Sequence, residues 1–262
     1  MAVKFYSQNG EDYLLWHFFQ QKQHGFYIDI GAFDGIHLSN SFTFEQMGWR
    51  GICVEANPEM FAICRRNRPG SLCLNKACIG YDGKNPINER REQGKIDLFV
   101  DEMGLLTTTV NSKEKFDDIE KRYKKRGLQF SGLEKIEIET ITFDEIMGKY
   151  CEETKEIDFV SIDTEGSELD ILSSMNFESC DMRVLLIEYE KGTELQTAAL
   201  LQERGAYSLA RKTPHNMVFV KKREDLEMMK NIKIDCMIEK QVHPKGRKFT
   251  IPSFLSGKRI VE

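Results

Sequence analysis

The alternation of apolar and polar stretches along the chain predicts an α/β fold. Short apolar runs with the pattern of buried strands lie at residues 26–30, 50–55, 71–78, 135–141, 157–162 and 184–187. Stretches that predict helices lie between them, at residues 39–48, 58–67, 142–150 and 193–204. Strands that alternate with helices favour a doubly wound, mostly parallel sheet. Two final apolar runs, at 207–210 and 217–221, predict a terminal antiparallel hairpin.

Residue types at two helix starts agree with this pattern. Asn57 precedes Pro58, and these are preferred residues for an N-cap and for the first helical position. Thr142 is followed three residues later by Glu145, which is the spacing of a capping box. Both helices are therefore expected to begin at these residues.

The segment between the first strand and the first helix of the sheet predicts a ligand-binding turn. Gly31 lets the backbone approach a ligand closely, and Gly35 relieves the turn that follows. The backbone N–H groups at Ser39 and Asn40, where a helix is expected to start, can hold a carboxylate.

Two carboxylates decide which ligands this turn suits. Asp29 and Asp34 repel a pyrophosphate and suit a cation, an amino group or hydroxyl groups. The dinucleotide pattern G-x-G-x-x-G is absent, because Ala32 and Phe33 stand where a second glycine would be. The turn alone leaves two interpretations level: a ligand site, or glycines that serve geometry only.

The end of the second strand favours a nucleoside ligand. Glu55 follows Gly31 by 24 residues, and doubly wound sheets place an acidic residue about 20 residues on, where it accepts hydrogen bonds from ribose hydroxyls. The alternative for Glu55 is a surface residue at a strand end. Ala77 and Cys78 end the third predicted strand and are candidate contacts for the base, although ordinary strand packing is equally open.

Three further acidic residues follow predicted neighbouring strands and are candidates for chemistry. Asp163, Glu165 and Glu188 fall at the carboxyl ends of these strands, the edge where α/β sheets bind ligands. Clustered carboxylates can act as a base directly, or can hold Mg²⁺ that acidifies a hydroxyl group. The alternative is that Glu165 and Glu168 only place negative charge at a helix N-terminus. His215 is a second candidate base, although a lone histidine is more often structural.

The remaining segments carry weaker patterns. Residues 5–22 predict a helix capped by Ser7 or Asn9, and the residues around Gln8 either start this helix or form a lid on the ligand. The expected domains are residues 1–222, with an insertion at about 81–132, and an extension at 223–262. Three roles are open for the extension: a substrate flap, an arm that joins a homo-oligomer, or a poorly ordered tail.

Composition narrows the class of protein. The chain has 262 residues, a formal net charge of -5 and a pI near 5.7, so neither nucleic acid nor an anionic membrane is expected as a partner. No apolar run is long enough to span a bilayer, and the N-terminus lacks the apolar core of a signal peptide, so we expect a cytoplasmic protein. The seven cysteines are expected to pack as small apolar residues in a reducing compartment.

Four ordered motifs resemble the FkbM family of methyltransferases over about residues 5–220. The motifs are Ser7-Gln8-x-Gly10-Glu11-Asp12, Asp29-Ile-Gly31-Ala-x-Asp34-Gly35-x-x-x-Ser39-Asn40, Val54-Glu55-x-Asn57-Pro58-x-x-Phe61 and Ile157-Asp158-Phe-x-Ser-Ile162-Asp163-x-Glu165-Gly166-x-Glu168. Ala56 stands where the family often has proline.

This resemblance implies a class I methyltransferase (Rossmann-like) fold and O-methylation that depends on S-adenosylmethionine, with a small-molecule or glycan hydroxyl as acceptor. It implies active-site roles for Asp163 and Glu165, and cofactor contacts at Asp29, Gly31, Asp34, Asn40 and Glu55. Gln8, Ala32 and Ser39 stand in the same motifs and are further candidates for cofactor binding.

Two rival functions stay open at the level of sequence. One is a nicotinamide-dependent oxidoreductase, which would need the glycine-rich pyrophosphate turn that Ala32 and Phe33 do not supply. The other is a non-catalytic module that binds a nucleoside. Methyltransferases that act on the amino groups of DNA bases carry Asn/Asp-Pro-Pro-aromatic where this chain has residues 163–166, so oxygen is the expected acceptor atom.

Overall fold

The structure, a computed structural model, describes residues 3–80, 94–101, 113–125, 130–154 and 156–235. The strands are β1 (Phe26–Ile30), β2 (Arg50–Val54), β3 (Leu72–Leu74), β4 (Ala77–Cys78), β5 (Lys95–Asp101), β6 (Leu133–Ile141), β7 (Glu156–Ile162), β8 (Asp181–Glu188), β9 (Ser208–Lys212) and β10 (Asn216–Val220). The helices are α1 (Glu11–Phe18), α2 (Phe42–Gln46), α3 (Pro58–Asn67), α4 (Lys113–Lys125), α5 (Phe143–Tyr150), α6 (Glu168–Ser174), α7 (Glu194–Gly205) and α8 (Arg223–Asn231).

The main sheet has seven strands in the order β3-β2-β1-β7-β8-β10-β9. The pairs from β3 to β8 are parallel, whereas β10 is antiparallel to both β8 and β9. The order reverses between β1 and β7, and a ligand crevice is expected outside the carboxyl ends of the strands at such a point. The predicted doubly wound sheet with a terminal antiparallel hairpin is confirmed.

A second sheet of three strands, in the order β4-β6-β5, corrects two predicted strands. The predicted strand 71–78 is two strands, because the chain turns at Asn75. The Asn75 amide donates to the carbonyls of Glu55 and Ala56, at 2.9 and 3.1 Å, and thereby replaces strand pairing at that point. The predicted strand 135–141 lies in this second sheet as part of β6 and not in the main one.

Most of the predicted helix starts are confirmed. The Asn57 side chain accepts hydrogen bonds from the N–H groups of Glu59 and Met60, and Pro58 opens α3. Thr142 and Glu145 bond reciprocally as a capping box. Helix α2 is shorter than the predicted 39–48, because the residues before Phe42 belong to the turn that joins β1 to α2. We call residues 31–41 the ligand turn, after the role that the sequence predicts for them.

The start of α1 differs from the prediction in detail. Gly10, in the left-handed conformation with φ 88°, occupies the N-cap position instead of Ser7 or Asn9. The Ser7 hydroxyl still accepts hydrogen bonds from the N–H groups of Gly10 and Asp12, at 3.0 and 3.3 Å. The Ser7 hydroxyl therefore satisfies two backbone N–H groups at the start of α1, although Ser7 lies three residues before the N-cap position.

Apolar side chains cover both faces of the main sheet. One cluster packs β1, β7 and β8 against α5, α6 and α7, and the other packs them against α1, α2 and α8. The second cluster is rich in aromatic rings, with Phe159 stacked on Tyr27 and packed against Phe44 and Trp49. Because apolar side chains cover both faces of the main sheet, polar side chains are expected at the ends of its strands.

The chain after the hairpin contributes a helix to this core. Met229 on α8 is buried, and Arg183 donates two hydrogen bonds to Asp225, at 3.1 and 2.8 Å.

The division of domains at residue 222 and the insertion at 81–132 stay predictions, and residues 81–93, 102–112, 126–129 and 236–262 lie outside the described residues. None of the described helices is both long and apolar enough to cross a membrane.

A buried arginine fixes the ligand turn to the sheet. Arg68 follows α3, and its side chain is fully buried. Its guanidinium donates to the carboxylate of Glu45 (2.7 Å), the carbonyl of Gly35 (2.8 Å), the hydroxyl of Tyr27 (2.6 Å) and the hydroxyl of Ser41 (2.8 Å). One side chain thus joins β1, α2 and the turn between them.

We predict that Arg68→Met destabilises the protein strongly. The substitution leaves the Glu45 carboxylate, which is 5% exposed, buried without its cation. Breaking a buried ion pair on one side costs about 3–5 kcal/mol, measured here as the free energy of unfolding in urea. Arg65→Met is the matched control, because Arg65 is exposed on α3, the helix that Arg68 follows, and its substitution should change stability by no more than about 0.5 kcal/mol. Equal losses in the two variants would contradict the role assigned to Arg68.

Candidate functional site

The carboxyl ends of β1, β2 and β7 come together around Gly31. The N–H of Gly31 donates to the Val54 carbonyl and the N–H of Asp163 donates to the Ile30 carbonyl, both at 2.9 Å. Gly31 has φ +85°, and a Cβ atom added to it would lie 1.6 Å from the backbone oxygen of Asp163. Only glycine therefore allows the end of β1 to pass this close to the end of β7.

Asp29 is a buried residue of β1, two residues before Gly31. It stands in register with Ser161 on β7 and Cys53 on β2, and the residue is 4% exposed. Its carboxylate accepts a hydrogen bond from the Ser41 hydroxyl. Burial raises the pKa of Asp29, and the guanidinium of Arg68 opposes this rise.

Asp34 organises the turn itself. Its carboxylate accepts hydrogen bonds from the N–H groups of Ile36 and His37, at 3.0 and 2.8 Å, and contacts the His37 ring through Nδ1. The Asp34 carbonyl also accepts from the Asn67 amide at 2.8 Å. Asp34 is 1% exposed, so its main observed effect is to hold the backbone of the turn.

Asn40 carries an acceptor that no described residue uses. Its Nδ2 atom donates to the Ser161 hydroxyl at 3.1 Å, which fixes the orientation of the amide. Within the described part of the chain, the buried Oδ1 atom has no hydrogen-bond partner. Because a buried acceptor without a donor is costly, this oxygen is a candidate to accept from a bound ligand.

Glu55 clamps the turn to the end of β2. One carboxylate oxygen accepts from the N–H of Phe33 at 2.7 Å, and the other accepts from the N–H of Asn57 at 2.8 Å. Each oxygen keeps a lone pair for a further donor. Burial raises the pKa of Glu55 to about 8, and the nearby carboxyl groups of Asp163 and Asp29 add to the rise.

The other predicted cofactor residues lie around this turn or beyond β3. Ala32 is buried, and its N–H donates to the Val54 carbonyl at 3.1 Å. The Ser39 hydroxyl accepts from the N–H groups of Ser41 and Phe42, which caps the start of α2. Gln8 is half-buried, next to the bridge that joins Ser7 to Leu38 in the turn.

Ala77 and Cys78 lie apart from the turn, in the second sheet. Both are buried and pair with Thr140 and Ile141 on β6. Cys78 also belongs to the larger apolar cluster of the main sheet. Their position after β3 is compatible with packing and with a base contact, and the latter stays a prediction.

Asp163, Glu165 and Glu188 form a carboxylate cluster at the ends of β7 and β8. One oxygen atom from each lies within 4.8 Å of the others, and all three side chains are half-buried. Glu165 adopts a positive φ of 57°, which is uncommon outside glycine, and Gly166 follows with φ 121°. The structure thus brings together the three residues that the sequence placed at the ends of two neighbouring strands.

Burial and mutual repulsion shift the acidities in this cluster. Burial raises the pKa of Asp163 to about 7, a hydrogen bond from Glu188 opposes the rise, and the charges of Glu165 and Glu168 add to it. Burial and the neighbouring Asp163 raise the pKa of Glu188 well above its ordinary value. These opposite effects of the shared hydrogen bond favour a proton on Glu188, which donates to the carboxylate of Asp163.

The Glu168 side chain forms hydrogen bonds with the backbone next to this cluster. Its carboxylate accepts from the N–H and the hydroxyl of Thr164, at 2.7 and 2.8 Å, and from the N–H of Gly166. These bonds fix the tight turn that carries Glu165. The interpretation of Glu168 as a helix-start residue agrees with this geometry.

His215 lies at the same edge, before β10. Its Nδ1 atom is 3.2 Å from the Asn9 amide nitrogen, and its carbonyl accepts from the N–H of Tyr189. Asn9 also donates to Glu11 at 2.9 Å, and Glu11 accepts from Thr213 at 2.7 Å. This buried network ties the N-terminal segment to the terminal hairpin, next to the end of β8.

Arg68 and Ser161 support the site through hydrogen bonds, but the sequence did not identify them as site residues. Arg68 contacts residues 23 to 41 positions away in the chain, and Ser161 supports Asn40 from 121 positions away. In the sequence, Arg68 has no periodicity or spacing that sets it apart from the nearby Arg65 and Arg66. Ser161 stands inside one of the four motifs, so that motif could have identified it.

Comparison with solved structures finds methyltransferases of low similarity. A precorrin-6y C5,15-methyltransferase from Geobacter metallireducens is 11% identical, with 80% of this chain and 87% of that chain covered and a TM-score of 0.38. A TehB-like S-adenosylmethionine-dependent methyltransferase from Corynebacterium glutamicum is 10% identical, with coverage of 82% and 88% and a TM-score of 0.40. A putative RNA methyltransferase from Pyrococcus horikoshii is 12% identical, with coverage of 81% for both chains and a TM-score of 0.39. Similarity this low says nothing about what the present chain acts on.

A family model gives the assignment. A search of curated proteins finds no match. The model of the methyltransferase FkbM domain matches residues 29–209, which span the turn, the carboxylate cluster and most of the main sheet. The resemblance seen in the four motifs is thereby confirmed. The chain belongs to the FkbM family of S-adenosylmethionine-dependent methyltransferases.

Proposed function

We propose that this protein transfers a methyl group from S-adenosylmethionine to a hydroxyl oxygen of a sugar, a glycan or a related metabolite. The observation that carries the proposal is the carboxylate cluster of Asp163, Glu165 and Glu188 beside the turn at Gly31. A hydroxyl group has a pKa far above neutrality and needs a base as it attacks. The expectation that nucleic acid is not the acceptor stays a prediction.

The residues around the turn fit a cationic nucleoside. The unused Oδ1 atom of Asn40 can accept from an amino group, and the free lone pairs of Glu55 can accept from ribose hydroxyls. The acidic groups of the cluster favour a positively charged sulfonium over a diphosphate. S-adenosylmethionine, when bound, supplies the methyl group on that sulfonium.

Asp163 is the residue we assign as base. Asp163 would take the hydroxyl proton as the acceptor oxygen attacks the methyl carbon. Bound S-adenosylmethionine would supply that carbon, and its sulfur would keep the electron pair of the broken sulfur–carbon bond. A base with a pKa near neutrality is ionised often enough to take that proton at pH 7. Glu188 and Glu165 orient and tune Asp163 in this scheme.

The contacts of His215 support Asp163 over histidine as the base. Because a carboxylate only accepts, the bond between Asn9 and Glu11 places the Asn9 NH₂ group toward both Glu11 and His215. His215 Nδ1 is then an acceptor, and the proton of the neutral ring lies on Nε2. His215 is therefore proposed to donate a hydrogen bond at this edge.

A Mg²⁺ site is the second candidate role of the cluster. Three carboxylate oxygens within 4.8 Å of one another are hard oxygen ligands of the type that Mg²⁺ prefers. A bound cation would acidify the acceptor hydroxyl and make a base with raised pKa unnecessary.

We predict that Asp163→Asn abolishes turnover and keeps cofactor affinity. The amide cannot take a proton, whereas the backbone of residue 163, which packs on Gly31, is unchanged. The measurement is release of S-adenosylhomocysteine with a panel of glycans and small alcohols, together with calorimetry of S-adenosylmethionine binding. Asp170→Asn is the matched control, because Asp170 is exposed on α6. Unchanged turnover in Asp163→Asn would remove this residue from the mechanism.

We predict that kcat/KM falls as pH decreases through neutrality. Asp163 accepts a proton only when ionised, and because its pKa is raised to about 7, the ionised fraction falls about tenfold per pH unit below that value. The pH profile should be the same in EDTA. A flat profile between pH 5 and 8 would contradict the assignment, and activity that EDTA abolishes and Mg²⁺ restores would favour the metal role instead.

A further inference from the structure

Three cysteines form a sulfur cluster in the half of the sheet that lies beyond the ligand turn. Cys53 on β2 and Cys73 on β3 are directly in register, and Cys64 on α3 packs over them. The three sulfur atoms lie within 4.8 Å of one another. We refer to these three residues as the cysteine cluster.

The spacing of the sulfurs suits a metal ion. With a zinc–sulfur distance of about 2.3 Å, sulfurs around a tetrahedral ion lie about 3.8 Å apart, so a contraction of about 1 Å or less is needed here. A disulfide would need two sulfurs to approach to about 2.05 Å, which is a much larger movement for residues fixed in neighbouring strands.

A buried cation lies beside the cluster. The buried guanidinium of Arg68 acts electrostatically on the sulfurs of Cys53 and Cys73. Three thiolates around a divalent ion leave one negative charge, and a fixed cation beside them offsets it.

Access to the cluster is from one side. Cys53 and Cys64 are fully buried, whereas Cys73 is half-buried. An ion can therefore enter past Cys73 and keep a water molecule as a fourth ligand, as zinc does in sites with three protein ligands. The other face of the cluster lies against the ligand turn, because a Cβ atom on Gly35 would lie 3.1 Å from the Cys64 sulfur.

We propose that Cys53, Cys64 and Cys73 form a binding site for a thiophilic cation of the Zn²⁺ or Cu⁺ class. Soft thiolate ligands select such ions over Mg²⁺, so this site is chemically distinct from the carboxylate cluster. The proposal does not depend on the methyl acceptor or on the catalytic base.

The test is titration of the full, reduced, metal-free chain with Cd²⁺, followed by the ultraviolet charge-transfer absorption of cadmium–thiolate bonds. Carboxylates give no such band, so binding at Asp163, Glu165 and Glu188 does not contribute. The wild type should bind one ion per chain with this band. In Cys73→Ala, which removes the accessible ligand, the affinity should fall at least about tenfold.

Cys151→Ala is the matched control, since Cys151 is buried outside the cluster, and it should titrate as the wild type does. If Cys73→Ala fails to fold, Cys73→Ser keeps the size of the side chain without a soft ligand and gives the same readout. Absence of the band in the wild type, an unchanged affinity for Cd²⁺ in a folded residue-73 variant, or loss of the band in Cys151→Ala would each overturn the proposal.

Discussion

The architecture of the site depends on one buried cation. The Arg68 guanidinium binds Glu45, Tyr27, Ser41 and the carbonyl of Gly35, so it holds the first strand, the short helix α2 and the turn in one arrangement. A planar group with five donors can serve all these acceptors at once, which lysine cannot do. Burial of Arg68 also places positive charge below Asp29, whose carboxyl group would otherwise be an unpaired acid inside the sheet.

The second constraint is the close passage of the strand ends. Gly31 leaves no room for a side chain beside the Asp163 backbone, and Glu55 pins the turn through the N–H groups of Phe33 and Asn57. These contacts bring the acidic groups of different strands within interaction distance, and burial then raises their pKa values toward neutrality. The geometry that shapes the crevice is thus also the source of its acid–base properties.

Much of the fold follows from sequence because its signals are local. The capping residues Asn57 and Thr142 lie within three positions of the groups they bind, and the alternating pattern predicts the strands of the main sheet. The acids at strand ends were predicted for the same reason. The break of the third strand at Asn75, the role of Arg68 and the cysteine cluster could not be predicted, because each depends on contacts between residues far apart in the chain.

We propose that the crevice beside Gly31 binds a sulfonium nucleoside and not a dinucleotide. Isothermal titration calorimetry of the wild-type protein with S-adenosylmethionine, and separately with NAD, tests it most directly. We expect saturable binding of one S-adenosylmethionine per chain and no heat from NAD beyond dilution. Binding of NAD without binding of S-adenosylmethionine would contradict the account.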